Sequence, residues 1–349
     1  MTYKLFIKHV ATGDLFELPF DTLNVVEELN NGANATFTFD YTVLHDQVAL
    51  PYNTTVKTLL TSVFTEIYFQ DQNANVIWLG VITDVQITYD ASQGYNLTVG
   101  ANDYVGLLQK RRSQADKVYT AVDPASIPWD QINTSQGYTN GNWGLTQGVA
   151  DSTGITVNEE YKRVDLNQII TDLSNGKLSS SFDFDIDVTK KLNVYYPTKG
   201  TVLENVVFDD FNIATWGVVT PLILGITNTV YSRGSGTNAD VPETTSAASS
   251  GVVAEYTLLE DVITDTNTTD TGVLQAEGDK YLSLNELPLD QISINHMDNV
   301  DLTTYDVGDT VIVNLPDWDI SYAQYRVRKR TVNIDSTGTM ICTIDLLSQ

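Results

Sequence analysis

Apolar and polar side chains alternate along Phe64 to Ala101. Thr65, Ile67 and Phe69 point one way, and Glu66, Tyr68 and Gln70 point the other. Beyond the polar tract DQNAN, residues Ile77, Leu79, Val81, Val85 and Ile87 share one face with Thr83. Val76 and Trp78 take the opposite face, which is expected to be covered over part of its length. Tyr95, Leu97, Val99 and Ala101 then alternate with Asn96, Thr98 and Gly100. A period of two is the strand period, and Asp, Asn and Gln suit a turn because their side chains bond nearby backbone. The stretch therefore predicts an antiparallel meander with one buried face.

The same alternation makes residues 1–111 read as all-β. Tyr3 to His9 and Leu15 to Leu18 bracket the turn ATGD. Phe37, Phe39 and Tyr41 alternate with Thr38 and Asp40, and DYVGLLQKRR (103–112) closes the unit as a short helical turn. Residues 112–200 read as mixed. Asp123-Pro124 starts a helix. DLNQIITDLSNG predicts a second one, capped by Asp165 with Gln168 three residues on. Its stripe is Leu166, Ile169, Ile170 and Leu173, and Gly176 ends it. SFDFDIDV and KLNVYYP then pair through Thr189 to Lys191.

Residues 201–233 return to strands. Residues 234–288 hold two polar tracts, GSGTNADVPETTSAASSG and TDTNTTDTG, around VVAEYTLLEDVI, which reads as one element. Leu274, Glu277, Tyr281 and Leu284 then follow at helical spacing, with Gly278 as a weak point. ISINH, DTVIVNL, YRVRKRTVNI and MICTIDLL (289–349) are strands, the last two joined by DSTGT. The expected fold class is mainly β with α+β insertions. Two β units interrupted by two excursions suggest a duplicated barrel, although no repeat is visible in the residues.

Length and composition fit a globular chain: 349 residues, 42% hydrophobic. The formal net charge of −26, from 45 acidic and 19 basic residues, repels phosphate backbones and anionic membranes. It is compatible with a DNA conduit whose wall does not adhere, and with a high-salt host. The single cysteine, Cys342, leaves no disulfide within the chain. Residues 1–10 lack an apolar core segment, so no secretory signal is expected. The uncharged run Asn212 to Ser232 is broken by Gly217, Pro221 and Gly225. It predicts two buried strands with Pro221 near a turn, rather than a membrane span.

Candidate chemistry is sparse. His9, His45 and His296 are scattered, no HExxH spacing occurs, and no serine sits in a nucleophile elbow. No catalytic, cofactor-binding or metal residue is assigned. Asp183, Asp185 and Asp187 alternate with Phe182, Phe184 and Ile186. Without the glycine and distal glutamate of a calcium loop, they read as a solvated strand face rather than a cation site.

Two basic clusters hold eight of the 19 cations: Lys110, Arg111, Arg112 and Lys117, and Arg326, Arg328, Lys329 and Arg330. Arg326, Arg328 and Arg330 are expected on one strand face, with Lys329 turned away. Between Asp240 and Asp319, by contrast, lie 17 acidic residues and only Lys280 as a base. Contact with a subunit or partner fits such clusters in an acidic chain better than DNA does. The candidate contact residues are Arg326, Arg328, Lys329, Arg330, Lys110, Arg111 and Arg112.

Four stretches, in order, resemble the phage tail hub family: the baseplate hub of contractile tails and the tip protein of long non-contractile ones. LNNGANATFTFDY (29–41) is similar to the family's early L-N-x-G-x-x-x-F-x-F strand. VFTEIYFQDQNANVIWLGVITDVQ is similar to its I-x-x-x-D-x-x-G-x-x-x-F-x-G-x-I hairpin, with Asn75 where glycine is usual. LTVGANDYVGLLQKR is similar to L-x-x-x-D-x-x-x-L-L-x-x-R, and YDVGDTVIV to y-x-v-G-D-x-v-x-v.

The resemblance spans nearly the whole chain and implies a homotrimer. Two tube-type barrels per subunit would form a pseudo-six-fold ring that ends the tail tube and adapts it to a three-fold tip. The domains would be a first tube-type barrel (1–111), a mixed α/β domain (112–200), a second barrel (201–233 and 289–349) and an inserted small domain (234–288). Implied partners are the distal tail protein, the tape-measure protein and a spike or fibre protein, with DNA passing through the lumen during genome ejection without specific binding. The implied location is the distal end of the tail of a bacteriophage or archaeal virus, assembled in the host cytoplasm. An envelope hydrolase at the tail tip is an alternative. Relatives that carry such domains carry them as C-terminal extensions, for which Gln349 is expected to leave no room. A monomeric carbohydrate-binding β protein is another, since 18 Tyr and five Trp could stack on sugars.

Overall fold

A computed structural model describes residues 3–8, 13–49, 54–61, 64–92, 94–175, 181–219, 226–236, 241–248, 257–265, 269–286, 289–296 and 301–348. Gly176, Pro221 and the first five residues of VVAEYTLLEDVI (252–256) lie outside the described residues. The protein is mainly β. A 13-stranded sheet holds two successive strand sets. The first is β1 (Lys4–Lys8), β2 (Leu15–Leu18), β3 (Thr22–Glu28), β4 (Asn34–Asp40), β5 (Glu66–Gln70), β6 (Val76–Asp90) and β7 (Gly94–Asn102). The mixed region supplies β8 (Lys117–Val122), β9 (Thr146–Ala150), β10 (Val157–Tyr161), β11 (Asp183–Ile186) and β12 (Lys191–Tyr195). The second set is β13 (Val202–Asp209), β14 (Ile213–Val219), β18 (Gln291–His296), β19 (Thr310–Leu315), β20 (Ile320–Ile334) and β21 (Met340–Ser348).

The two sets repeat one topology. The first runs β3-β4-β7-β6-β5-β1-β2 and the second β14-β18-β21-β20-β19-β13. β6 and β20 both have 15 residues, and β7 and β21 both have nine. Two differences remain: β2 has no counterpart in the second set, and β1 pairs β5 antiparallel, whereas β13 pairs β19 parallel. Each set must curl. Laid flat, six strand spacings would separate β2 from β3 by about 29 Å, and five would separate β13 from β14 by about 24 Å. Yet each pair is joined through three residues, 19–21 and 210–212, which reach at most about 14 Å. The sheet bends round on itself twice, and one continuous apolar core fills both bends, from Leu5 and Phe37 to Val332 and Leu346.

The meander over β5, β6 and β7 forms as the alternation predicts, antiparallel throughout. Its single face does not survive. Register shifts between Ile82 and Asp84, so Thr83 is a bulge residue, and an extra residue reverses which side later side chains face. Trp78 therefore shares the main core with Val85 and Val99. Leu79 and Val81 turn to a second core under the mixed region. Residues 41–49 and 56–61, expected to continue the β unit, are helical instead. Asp40 accepts from Thr42 N and Val43 N to cap α1 (Tyr41–Leu44), which passes into a π-helical turn (His45–Ala49) and α2 (Val56–Thr61). α3 (Tyr104–Leu107) is the expected helical closure, capped by Asp103.

In the mixed region, α4 (Ile127–Gln136) and α5 (Leu166–Ser174) stand where expected. Asp165 accepts from Asn167 N and Gln168 N, and Leu166, Ile169, Ile170 and Leu173 are buried. Thr229–Arg233, grouped from the sequence with the preceding strands, belongs elsewhere. As β15 it pairs with β16 (Glu243–Ala247) and β17 (Glu260–Thr264) in a separate three-stranded sheet. That sheet is covered by α6 (Thr271–Asn285). Gly278 fits the contact between them: a Cβ there would lie 2.5 Å from Ser232 Oγ and 2.6 Å from Ser246 Oγ. β14, expected to be buried, is an edge strand with most residues exposed. Among the described residues no helix is long and apolar enough to cross a membrane.

Candidate functional site

β20 is the hinge of the architecture. Its first half pairs with β19, and its second half pairs on the same edge with β3 of the first set. Register against β21 shifts between Val327 and Lys329, which leaves Arg328 as the bulge residue at the changeover. The expected row of three arginines is therefore broken. Arg330 turns inward with Val332 and Ile334, Arg326 faces the mixed region, and of the three only Arg328 is exposed. Lys329 is half-buried opposite Glu28 across the strand pair.

Arg330 is the most enclosed cation among the described residues. Its Nε donates to Glu27 Oε2 at 2.7 Å, its Nη1 to the carbonyls of Leu302 and Tyr305 at 2.9 Å, and Asp306 lies 3.6 Å from Nη2. Burial opposes its charge, but the carboxylates of Glu27 and Asp306 raise its pKa further than burial lowers it. Arg326 donates to Asp183 Oδ2 and to the carbonyls of Gly308 and Lys199. Lys199 bridges Asp185 at 2.8 Å and Asp306 at 3.0 Å. Burial works against its charge too, and these two carboxylates outweigh it, so its pKa is raised.

The aspartates read as a solvated face are thus the anionic half of a junction. Asp183 is buried and also accepts from Asn30 Nδ2, and Asp187 caps its own turn through Thr189 N and Lys191 N. Among the described residues no group of His, Cys, Asp and Glu is placed to hold a metal ion. A cleft of about 400 Å³ opens at the junction, lined in part by Glu27, Trp78, Asp103, Lys199 and Arg330. Burial pushes the Asp103 carboxyl up to about 7, although it accepts from Gly106 N.

The other basic cluster is also structural in large part. Arg111 donates to the carbonyls of Ser135 and Gly141 at the end of α4, and its guanidinium lies 4.9 Å over the Trp143 ring. Arg112 pairs with Asp165, the cap of α5, at 2.9 Å. Lys117 pairs with Asp130, and Lys110 is exposed. Of the seven candidate contact residues, Arg111, Arg112, Arg326 and Arg330 hold the chain together. Lys110 and Arg328 present their charge outward.

One ionic node was not foreseen. Glu66, at the start of β5, is buried and binds Lys190 from the β11–β12 turn. It also accepts from the hydroxyls of Tyr68 and Tyr104, both at 2.6 Å. Burial raises the carboxyl pKa, but Lys190 and the two hydroxyls outweigh it and bring the value down to about 2. The pair links the mixed region to the first strand set. The only sequence signal was a glutamate inside an apolar strand.

His296 is similarly internal. Its Nε2 lies 2.8 Å from the Tyr305 hydroxyl, with Phe208 edge-on at 4.7 Å, and burial lowers its pKa to about 4.

No family model matches the chain, and no curated protein matches its sequence. Solved structures do match its fold. A tail protein from Neisseria meningitidis is 11% identical with a TM-score of 0.66, over 100% of this chain and 97% of its own. A prophage MuSo2 tail protein from Shewanella oneidensis is 9% identical with a TM-score of 0.68, over 99% and 98%. An Escherichia coli component of the type VI secretion system, described as structurally similar to the T4 tail proteins gp27 and gp5, is 13% identical with a TM-score of 0.57, over 99% and 77%. The chain has the fold of phage tail proteins along its whole length.

Proposed function

We propose that this protein is a structural tail component, the hub that ends a tail tube, with no catalytic role. The observation that carries this is the repeat: two curled strand sets with one strand order, joined side by side through β20 and β3. A chain with two equivalent wedges supplies six from three copies, which adapts a six-fold tube to a three-fold tip. In this reading the wedges are tube-type barrels, 1–111 and 201–219 with 289–349. The mixed unit at 112–200 and the small unit around α6 stand outside the ring. The distal tail protein, the tape-measure protein and a spike or fibre are the partners at the distal end of the virion's tail. DNA passes the lumen without specific contacts, in keeping with a net charge of −26.

The interior charges favour scaffold over catalysis. Arg330, Lys199, Glu66 and Asp183 are each spent on opposite charges that fasten one part of the chain to another. Electron microscopy of the protein mixed with purified tail tubes tests the proposal. A ring of six wedges with three-fold symmetry capping one tube end is expected. Side-on binding, or a ring with another symmetry, would overturn it.

A further inference from the structure

The internal repeat specifies how copies would join. Within the chain, the second half of β20 pairs with β3: Thr331 opposite Val26, Val332 opposite Val25, Asn333 opposite Asn24 and Ile334 opposite Leu23. In the first set the strand equivalent to β20 is β6, and the strand equivalent to β3 is β14. The second half of β6, Asp84 to Asp90, has β7 on one edge and, among the described residues, no strand on the other. β14 pairs only with β18 among the described residues. One chain thus carries one satisfied junction and two open edges of the same kinds.

We propose that β6 of one copy pairs with β14 of a second copy in the geometry of the β20–β3 junction, an inference that rests on the hub reading. The ladders fix the register. Asp84 opposite Gly100 matches Lys329 opposite Asp345, and Tyr89 opposite Tyr95 matches Ile334 opposite Met340. On the other strand, Gly217 opposite Ser293 matches Asn24 opposite Thr36. The matched pairs are then Gln86 with Val219, Ile87 with Val218, Thr88 with Gly217 and Tyr89 with Trp216 of the second copy.

Burial supports that register. Ile87 and Tyr89 are 53% and 66% exposed, whereas their equivalents at the closed junction, Val332 and Ile334, are 1% and 6%. The partners assigned to Ile87 and Tyr89 are apolar and half-buried: Val218 and Trp216. Pairing would also remove two open sheet edges, which otherwise invite disordered association.

Paired cysteines test this in the full chain. Residues opposite each other in an antiparallel pair stand roughly 4.5–5.5 Å apart at Cα, within disulfide reach. Ile87→Cys with Val218→Cys should give, on mild oxidation at raised salt, a covalent trimer. Thr88→Cys with Val218→Cys, one residue out of register and on opposite faces, should stay largely unlinked, as should each single variant. Ile87→Lys should abolish assembly and leave the unfolding temperature within a degree or two, because the site is exposed in the monomer. An oligomer that forms without linking 87 to 218 overturns the strand pairing and leaves the hub reading standing. Equal linkage in both double variants overturns the register. A monomer at every concentration and salt overturns both.

Discussion

Replacing Glu66 by glutamine removes one charge from the node that ties the mixed region to the first strand set. The carboxylate is 8% exposed and its pKa falls from 4.5 to about 2 on folding. A depression of that size corresponds to about 3 kcal/mol of stability at neutral pH. The sign follows from the direction. A carboxyl with a lowered folded pKa stabilises fully above its unfolded value of 4.5, and loses that contribution as pH falls through about 2. Glu66→Gln keeps the volume but strands the Lys190 ammonium, so a loss of about 3 kcal/mol is expected at pH 7. The assay is urea unfolding of both proteins at several pH values. The other 44 acidic residues titrate alike in the two chains, so the difference isolates Glu66. That gap should shrink steadily below pH 4.5. A gap that stays constant to pH 2.5, or one under about 0.5 kcal/mol at pH 7, would refute the reasoning.

Arg330→Met should cost about 3–5 kcal/mol, because Glu27 and two carbonyls lose a buried charged donor. Arg328→Met, at the exposed bulge, should change the unfolding free energy in urea by under about 0.5 kcal/mol, and equal losses would contradict the inward turn of Arg330. The His296 imidazole should titrate by NMR near pH 4, with stability falling as pH drops below 6.5, since the unfolded chain binds that proton first; a midpoint near 6.5 would mean an open ring. Gly278→Ala should destabilise the small sheet by about 1–3 kcal/mol in spite of the roughly 1 kcal/mol helix propensity it gains, because its Cβ meets two serine hydroxyls. Amide exchange confined to α6 and its sheet reports the effect.

Alternation along β5 to β7 and β18 to β21 was enough to place those strands, because each buries apolar positions over at least part of its length and the period is short. It failed at Thr83 and Arg328. Both bulges fall near the middle of 15-residue strands, where β5 ends beside β6 and where β3 replaces β19 beside β20, and neither residue type marks a bulge. The faces beyond them were therefore misread, including the arginine row. The junction charges were illegible for another reason: Arg330 and Glu27 are 303 residues apart, and Arg326 and Asp183 are 143 apart. Such pairs exist only once distant parts of the chain meet, the two strand sets for the first and the second set and the mixed region for the second. The helical stretch after Asp40 was missed because Tyr41, Thr42 and Val43 are good strand formers, and the cap at Asp40 decides otherwise. The duplication is plain in strand order and invisible in the residues, since curled sheets need only alternating bulk.

The mass of the purified protein in solution tests the central proposal most directly. Light scattering should be run over a range of concentrations at low and high salt, the latter to screen the −26 charge that each copy carries. A species of three times 38.6 kDa, or an equilibrium that moves toward it as concentration rises, is the expected result. A strict monomer throughout, or a stable dimer, would contradict a ring built from three copies.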